Sequence, residues 1–232
     1  AGIQSEGMTT TVTGATININ NNRFQNMAVM AAASSTELFG IVNISSSGTL
    51  NINDNIFRGN TSTATTAGFT AISNASTTTS AANINNNKIG DASGNAISFS
   101  AAAFTGVVRG INNSTGAGTA ATLSISGNNF QGFIQSIASA AVYVFIECLR
   151  QGNVAPSVTG INSNTFTNLS INSSGSVTFI RRTGPMSFNA GITDNCNDNR
   201  IVTAFSKPVA GGTVTLYDCV SPSDGAPFNV MN

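Results

Sequence analysis

Charge is scarce in this chain. Only 8% of its 232 residues are charged, against about a quarter in an ordinary globular protein. Nine basic residues balance nine acidic ones, so no net field draws the protein to nucleic acid or to an anionic membrane. Histidine is absent and cysteine occurs three times, as Cys148, Cys196 and Cys219. That set fits no zinc spacing and gives no thiol the flanking histidine of a nucleophilic cysteine. No apolar run approaches the roughly 20 residues of a spanning helix. The longest candidate, Ile137 to Leu149, is interrupted by Glu147. Membrane insertion and nucleic-acid binding are therefore not expected.

What fills the space is asparagine, serine and threonine. Their side chains compete for backbone hydrogen bonds and weaken helices, whereas Thr, Ile, Val and Phe suit strands. An all-β protein follows, its polarity supplied by uncharged groups.

The stretch TININNNRF contains a motif that recurs: apolar, x, apolar, x, x, Asn, x, apolar. It appears at Ile17, Ile19, Asn22, Phe24, then at Leu50, Ile52, Asn55, Phe57. Ala82, Ile84, Asn87, Ile89 and Leu123, Ile125, Asn128, Phe130 follow. The fifth copy is Thr159, Ile161, Asn164, Phe166, and the last keeps Asn199 and Ile201 but has Cys196 in place of isoleucine. The final anchors are 33, 32, 41, 36 and 35 residues apart, a fixed motif with variable loops, as stacked repeats show. Second apolar anchors are expected about 15 residues later, at Phe39, Ile72, Phe104, Phe145, Phe179 and Leu216, with Phe179 two residues early. No segment carries the 3.6-residue period of an amphipathic helix.

Leucine-rich repeats also place asparagine at a turn, but they run about 20–29 residues and are rich in leucine. This chain has six leucines. Its I-x-x-N-x-F repeats instead resemble those of the right-handed parallel β-helix, the pectate-lyase-like fold. They are most similar to repeats of adhesin-like secreted and cell-surface proteins of Bacteroidetes-type bacteria. The resemblance runs from about Thr10 to Val220. It implies an extracellular or cell-surface location, with a type IX secretion route among the means of export. The expected fold is an all-β, right-handed parallel β-helix solenoid of about six coils, forming one domain over residues 1–232. Isoleucine and phenylalanine anchors would stack inside at about 4.8 Å per coil. Asn22, Asn55, Asn87, Asn128, Asn164 and Asn199 would form a side-chain ladder.

An uncapped solenoid end exposes strand edges. With no cap helix before the first motif and only PSDGAPFNVMN after the last strand-like run, the chain is expected to be a piece of a longer protein or to be capped. Its partners would then be further domains of the same chain or a capping or transport protein, with surface glycans as a ligand class.

Sites are sparse. Glycoside hydrolysis uses two carboxylates about 5–9.5 Å apart, and the acids are scattered relative to the motif. One column stands out: Glu147, Arg181 and Asp218 fall two residues beyond successive second anchors, which reads as a surface ladder of alternating charge. Asp194, Asn195, Asn197 and Asp198 group oxygen donors of the kind calcium prefers, although Arg200 opposes a cation. No other cofactor is implied. Cys196 and Cys219 share the final coil, where a disulfide would staple the end, whereas Cys148 lies an intervening coil from Cys219. The leading expectation is a non-enzymatic structural or adhesive module whose binding residues sit on loops such as 110–121. A polysaccharide lyase or glycoside hydrolase, or a stalk or fibre segment of a phage or secretion assembly, are the alternatives.

Overall fold

The computed structural model describes residues 3–5, 14–30, 37–91, 97–114, 122–149, 157–183 and 192–219. Within these residues the chain forms only short strands, arranged in four sheets that each take every fourth strand. All the strand pairs are parallel. The result is a parallel β-solenoid. Three of its sheets are six strands deep and the fourth is seven deep, so five coil-to-coil steps separate the first motif from the last. No helix of the described residues is long and apolar enough to cross a membrane.

The motif builds the first two sheets and the corner between them. The first sheet stacks Thr16–Asn18, Ser47–Asn51, Thr78–Asn83, Thr122–Ser126, Ser157–Asn162 and Ile192–Asn195. Its first anchors are in register: Ile17, Leu50, Ala82, Leu123, Thr159 and Asp194. The second sheet aligns Phe24, Phe57, Ile89, Phe130, Phe166 and Ile201. Rings of this column stack where they meet, with centroids 4.7 Å apart for Phe24–Phe57 and 5.1 Å for Phe130–Phe166. Offset aromatic contact of this kind adds about 0.5–1.5 kcal/mol beyond the area buried.

The corner explains the asparagine run. The residue before each ladder asparagine has a left-handed backbone: Asn21, Asp54, Asn86, Gly127, Ser163 and Asp198 have φ between 55 and 67°. Asparagine, aspartate and glycine tolerate that region best. A serine bears the strain in the fifth coil.

The ladder asparagine then binds its neighbours in both directions. Asn128 is fully buried. Its Nδ2 donates to Asn164 Oδ1 at 3.0 Å and to Ile84 O at 2.8 Å. Its Oδ1 accepts from the backbone N–H of Asn87 at 3.0 Å and from Asn87 Nδ2 at 2.9 Å. The same Oδ1 contacts link Asn22 to Asn55, Asn55 to Asn87, and Asn164 to Asn199. One side chain thus satisfies polar groups of the coils on either side of its own.

The third sheet, which includes Phe133–Ser139 and Leu169–Ser173, and the fourth, which includes Val107–Asn113, Val142–Leu149 and Val177–Thr183, close the coil. Here the second anchors need correction. The paired inward row is Ile41, Ile72, Ile111, Ile146, Ile180 and Tyr217. Of the expected residues only Ile72 lies in it. Phe145 and Phe179 come one position before the paired Ile146 and Ile180, and both are buried. Phe104 is buried but precedes its strand, and Leu216 is 62% exposed. Counting from the motif fails because loop length varies, whereas hydrogen-bond register does not.

Asn128→Ala tests the ladder. It leaves two donors of Asn87, the Ile84 carbonyl and one Asn164 lone pair without partners. Each neutral hydrogen bond contributes about 1 kcal/mol net, and an orphaned buried group costs about 1–3. A loss of roughly 3–5 kcal/mol is expected in chemical denaturation. The terminal Asn199→Ala frees two donors of Asn164 and the Ile161 carbonyl in a part-buried setting and should lose less.

Candidate functional site

The three cysteines, which are far apart in sequence, surround one buried arginine at the C-terminal end. In the last inward column of the fourth sheet Asn43, Asn74 and Asn113 are followed by Cys148, Arg182 and Cys219. Over the first three coils it is a second asparagine ladder, with Asn43 Nδ2 to Asn74 Oδ1 at 2.9 Å and Asn74 Nδ2 to Asn113 Oδ1 at 2.7 Å. From the fourth coil the chemistry changes.

Arg182 is 2% exposed and forms a two-pronged pair with Asp194, Nη1–Oδ1 at 2.6 Å and Nη2–Oδ2 at 2.7 Å. Asp194 occupies the first-anchor position, where the earlier coils have an apolar residue or Thr159. The strand alternation that points Ile17 and Leu50 inward therefore points this carboxylate at the arginine. Burial opposes the charge on Arg182, but the adjoining Cys148 sulfur and Asp194 carboxylate outweigh it, and its pKa lies above the usual range. Arg182 Nε has no hydrogen-bond partner among the described residues.

The thiols are held protonated. Burial pushes Cys148 and Cys196 each up to about 11, partly offset by the Arg182 charge, and raises Cys219 as well. These are poor nucleophiles at neutral pH. Cys196 and Cys219, expected as a disulfide pair, are unbridged thiols in this structure. Cys196 follows directly on the last strand of the first sheet and Cys219 ends the last strand of the fourth, and the Arg182 charge acts on both thiols.

The oxygen donors considered for calcium do not converge. Asp194 faces inward onto Arg182, while Asp198 stands at the left-handed corner, 67% exposed on its side chain and 3.8 Å from Arg200. Asn197 donates its backbone N–H to Asn162 Oδ1. Among the described residues no group of three or more Cys, Asp and Glu side chains could hold a metal ion.

The expected charge column is in register. Glu147, Arg181 and Asp218 pair across the last three strands of the fourth sheet. Arg109 Nε reaches Glu147 Oε2 at 2.7 Å, Arg181 Nη1 lies 3.7 Å from Glu147 Oε1, and Arg181 Nε is 3.0 Å from Asp218 Oδ2. Spacing does not point to Arg109, because it sits diagonally, opposite Val144. Nor does it point to Arg182, although the doublet Arg181–Arg182 in a strand places one side chain outward and the other inward. Of the loop 110–121, residues 110–113 belong to the strand Val107–Asn113, and 115–121 lie outside the described residues.

No protein-family model, curated protein or solved structure matches the chain. The pectate-lyase-like and adhesin resemblance therefore rests on the motifs alone.

Two outcomes follow from this cluster. Asp194→Asn leaves a buried guanidinium without its counter-charge and should cost about 3–5 kcal/mol in denaturant titration. Arg182→Met combined with Asp194→Leu should recover most of that. Stability should also fall from about pH 9 to pH 11. There the unfolded thiols have lost their protons while Cys148 and Cys196 keep theirs, so the unfolded state binds fewer protons and each rise in pH favours it. A Cys148→Ala, Cys196→Ala double variant should flatten that slope.

Proposed function

We propose that this chain is a structural or adhesive β-solenoid module of a secreted or cell-surface protein, without catalytic activity of its own. The observation that carries this reading is the outward row Glu147, Arg181 and Asp218, joined diagonally by Arg109. These side chains bind one another from coil to coil, so the most charged stripe of the fourth sheet is engaged in holding the rod together. The inward ladder does the same with uncharged groups. Surface pairs contribute about 0.2–1 kcal/mol each, and these are half-buried and link four successive coils. Surface glycans are the ligand class that best suits such a rod, and neighbouring domains of the same protein are its natural attachments.

One arrangement favours a second reading. Glu147 and Asp218 lie on the same outward face, two coils apart, with Arg181 between them. A carboxylate pair on the flank of a β-solenoid is what polysaccharide hydrolysis requires.

One assay separates the two. The purified chain is incubated with a panel of neutral and uronate-containing polysaccharides, with release of reducing ends and unsaturated products followed alongside binding. Binding without product formation is expected. Product formation that is lost in both Glu147→Gln and Asp218→Asn would overturn the structural reading in favour of the enzyme.

A further inference from the structure

The outward face of the first sheet carries no charge. Its six strands contain one charged residue, Asp194, and that side chain points inward to Arg182. They contain no aromatic residue. The second and fourth sheets, by contrast, turn charged side chains outward, among them Lys88 and Arg200 on one and Glu147 and Arg181 on the other.

Strand alternation puts every second residue outside, and here the outward residues of successive coils stand in register. The column one place before the first anchors is Thr16, Thr49, Ala81, Thr122, Val158 and Thr193. Every one of these side chains presents a methyl group, and four add a hydroxyl. The column one place after the anchors is Asn18, Asn51, Asn83, Ser124, Gly160 and Asn195.

The carboxamides of this face are fixed in place. Asn51 Nδ2 donates to Asn18 Oδ1 and Asn83 Nδ2 to Asn51 Oδ1, both at 2.8 Å. At the next outward place, Asn20 Oδ1 and Asn53 Oδ1 accept the backbone N–H groups of Asn53 and Asn85 at 2.8 and 2.9 Å. Side-chain ladders of this kind keep a sheet of many strands from twisting, and side chains already ordered lose little entropy on binding. Methyls, hydroxyls and carboxamides therefore stand on a lattice, about 4.8 Å from coil to coil and about 6.6 Å between alternate residues of a strand.

A lattice recognises something that is itself periodic, whereas a single sugar or peptide fills one or two of its cells. Sugar rings pack on aromatic faces, of which this sheet has none. An acidic or basic polymer finds no counter-charge on it. Ordered water meets all three conditions. The coil spacing is close to the repeat of oxygen atoms along the a axis of hexagonal ice. Hydroxyls and carboxamides both donate and accept, as lattice water does, and the methyls between them order the water that borders them. Charged side chains, which orient water around themselves instead, are absent.

We propose that the outward face of the first sheet binds the surface of ice, with the threonine column as its centre and the asparagine column beside it. The proposal goes beyond the structural or adhesive reading and fails separately from it, because ice binding and glycan binding are measured separately.

The test is partition into ice. A hemisphere of ice is grown slowly from a dilute solution of the purified chain, and the protein in the melted ice is compared with that left in the liquid. The native chain should be enriched in the ice. Thr122→Tyr and Val158→Lys, both at exposed positions in the middle of the face, should each lower that enrichment about tenfold, as a lesion at the centre of an interface does. Lys88→Tyr, an equal change on the second sheet, should leave it unaltered. Denaturation midpoints are measured alongside, and if Val158→Lys shifts its midpoint, Thr122→Tyr decides alone. Exclusion of the native chain from ice overturns the proposal, as does equal enrichment of native chain and Thr122→Tyr, or an equal loss in Lys88→Tyr. A native chain excluded from ice that sediments with crystalline cellulose or chitin, and does so less in Thr122→Tyr, overturns it in favour of a glycan on the same face.

Discussion

A chain that turns a corner inside its own core must find partners for the backbone groups it frees there. In this solenoid one asparagine per coil meets that need. Its carboxamide has two donors and two acceptor sites, and in Asn55, Asn87 and Asn128 all four are used within hydrogen-bond distance. Aspartate would bring a charge and no donors, and glutamine would reach too far. Because the contacts run from coil to coil, the corner also sets the register of the sheets on either side. The anchors of the first and second sheets then align without help from the loops, which are free to differ in length.

The second ladder shows what happens when the same device is abandoned. Asn43, Asn74 and Asn113 give way to Cys148, Arg182 and Cys219. A guanidinium in that column brings charge into the core, and the cost of burying it is offset only by a counter-charge of matching geometry. Asp194 provides that by replacing an inward apolar anchor in the following coil. The two departures from the repeat are therefore one event. An arginine at this position without the aspartate, or the reverse, would leave an uncompensated charge inside the rod. The small, neutral thiols fill the volume around the pair without adding further charge.

Much of this was legible before any coordinates. The ladder and the stacked anchors of the first two sheets follow from spacing, because each lies within a short segment counted from the motif, and the Glu147–Arg181–Asp218 row follows because Phe145, Phe179 and Leu216, from which it is counted, are in register with one another. The inward row of the fourth sheet did not, since a variable loop lies between it and the motif and shifts the count. The buried pair was hidden for a different reason. Asp194, Asn195, Asn197 and Asp198 read as a polar cluster when they are treated as neighbours along the chain. Strand alternation separates them: Asp194 and Cys196 face in, Asn195 faces out, and Asp198 sits at the corner. Applied to the Arg181–Arg182 doublet, the same alternation assigns one arginine to the surface ladder and the other to the core.

Stacking also decides where a rod of this kind can vary. Inward rows are constrained by packing, and the corner by its hydrogen bonds. Over the last three coils the outward row of the fourth sheet is committed to ion pairs. The second sheet is different. Its outward column runs Arg23, Ile56, Lys88, Asn129, Thr165 and Arg200, a mixture with no common chemistry, in which Arg23, Lys88 and Arg200 are exposed. Substituting the exposed Arg23 or Lys88 disturbs no ladder and no packed row. The exposed members of this column can change while the coils beneath them stay the same, so this is the face on which substitution costs the fold least.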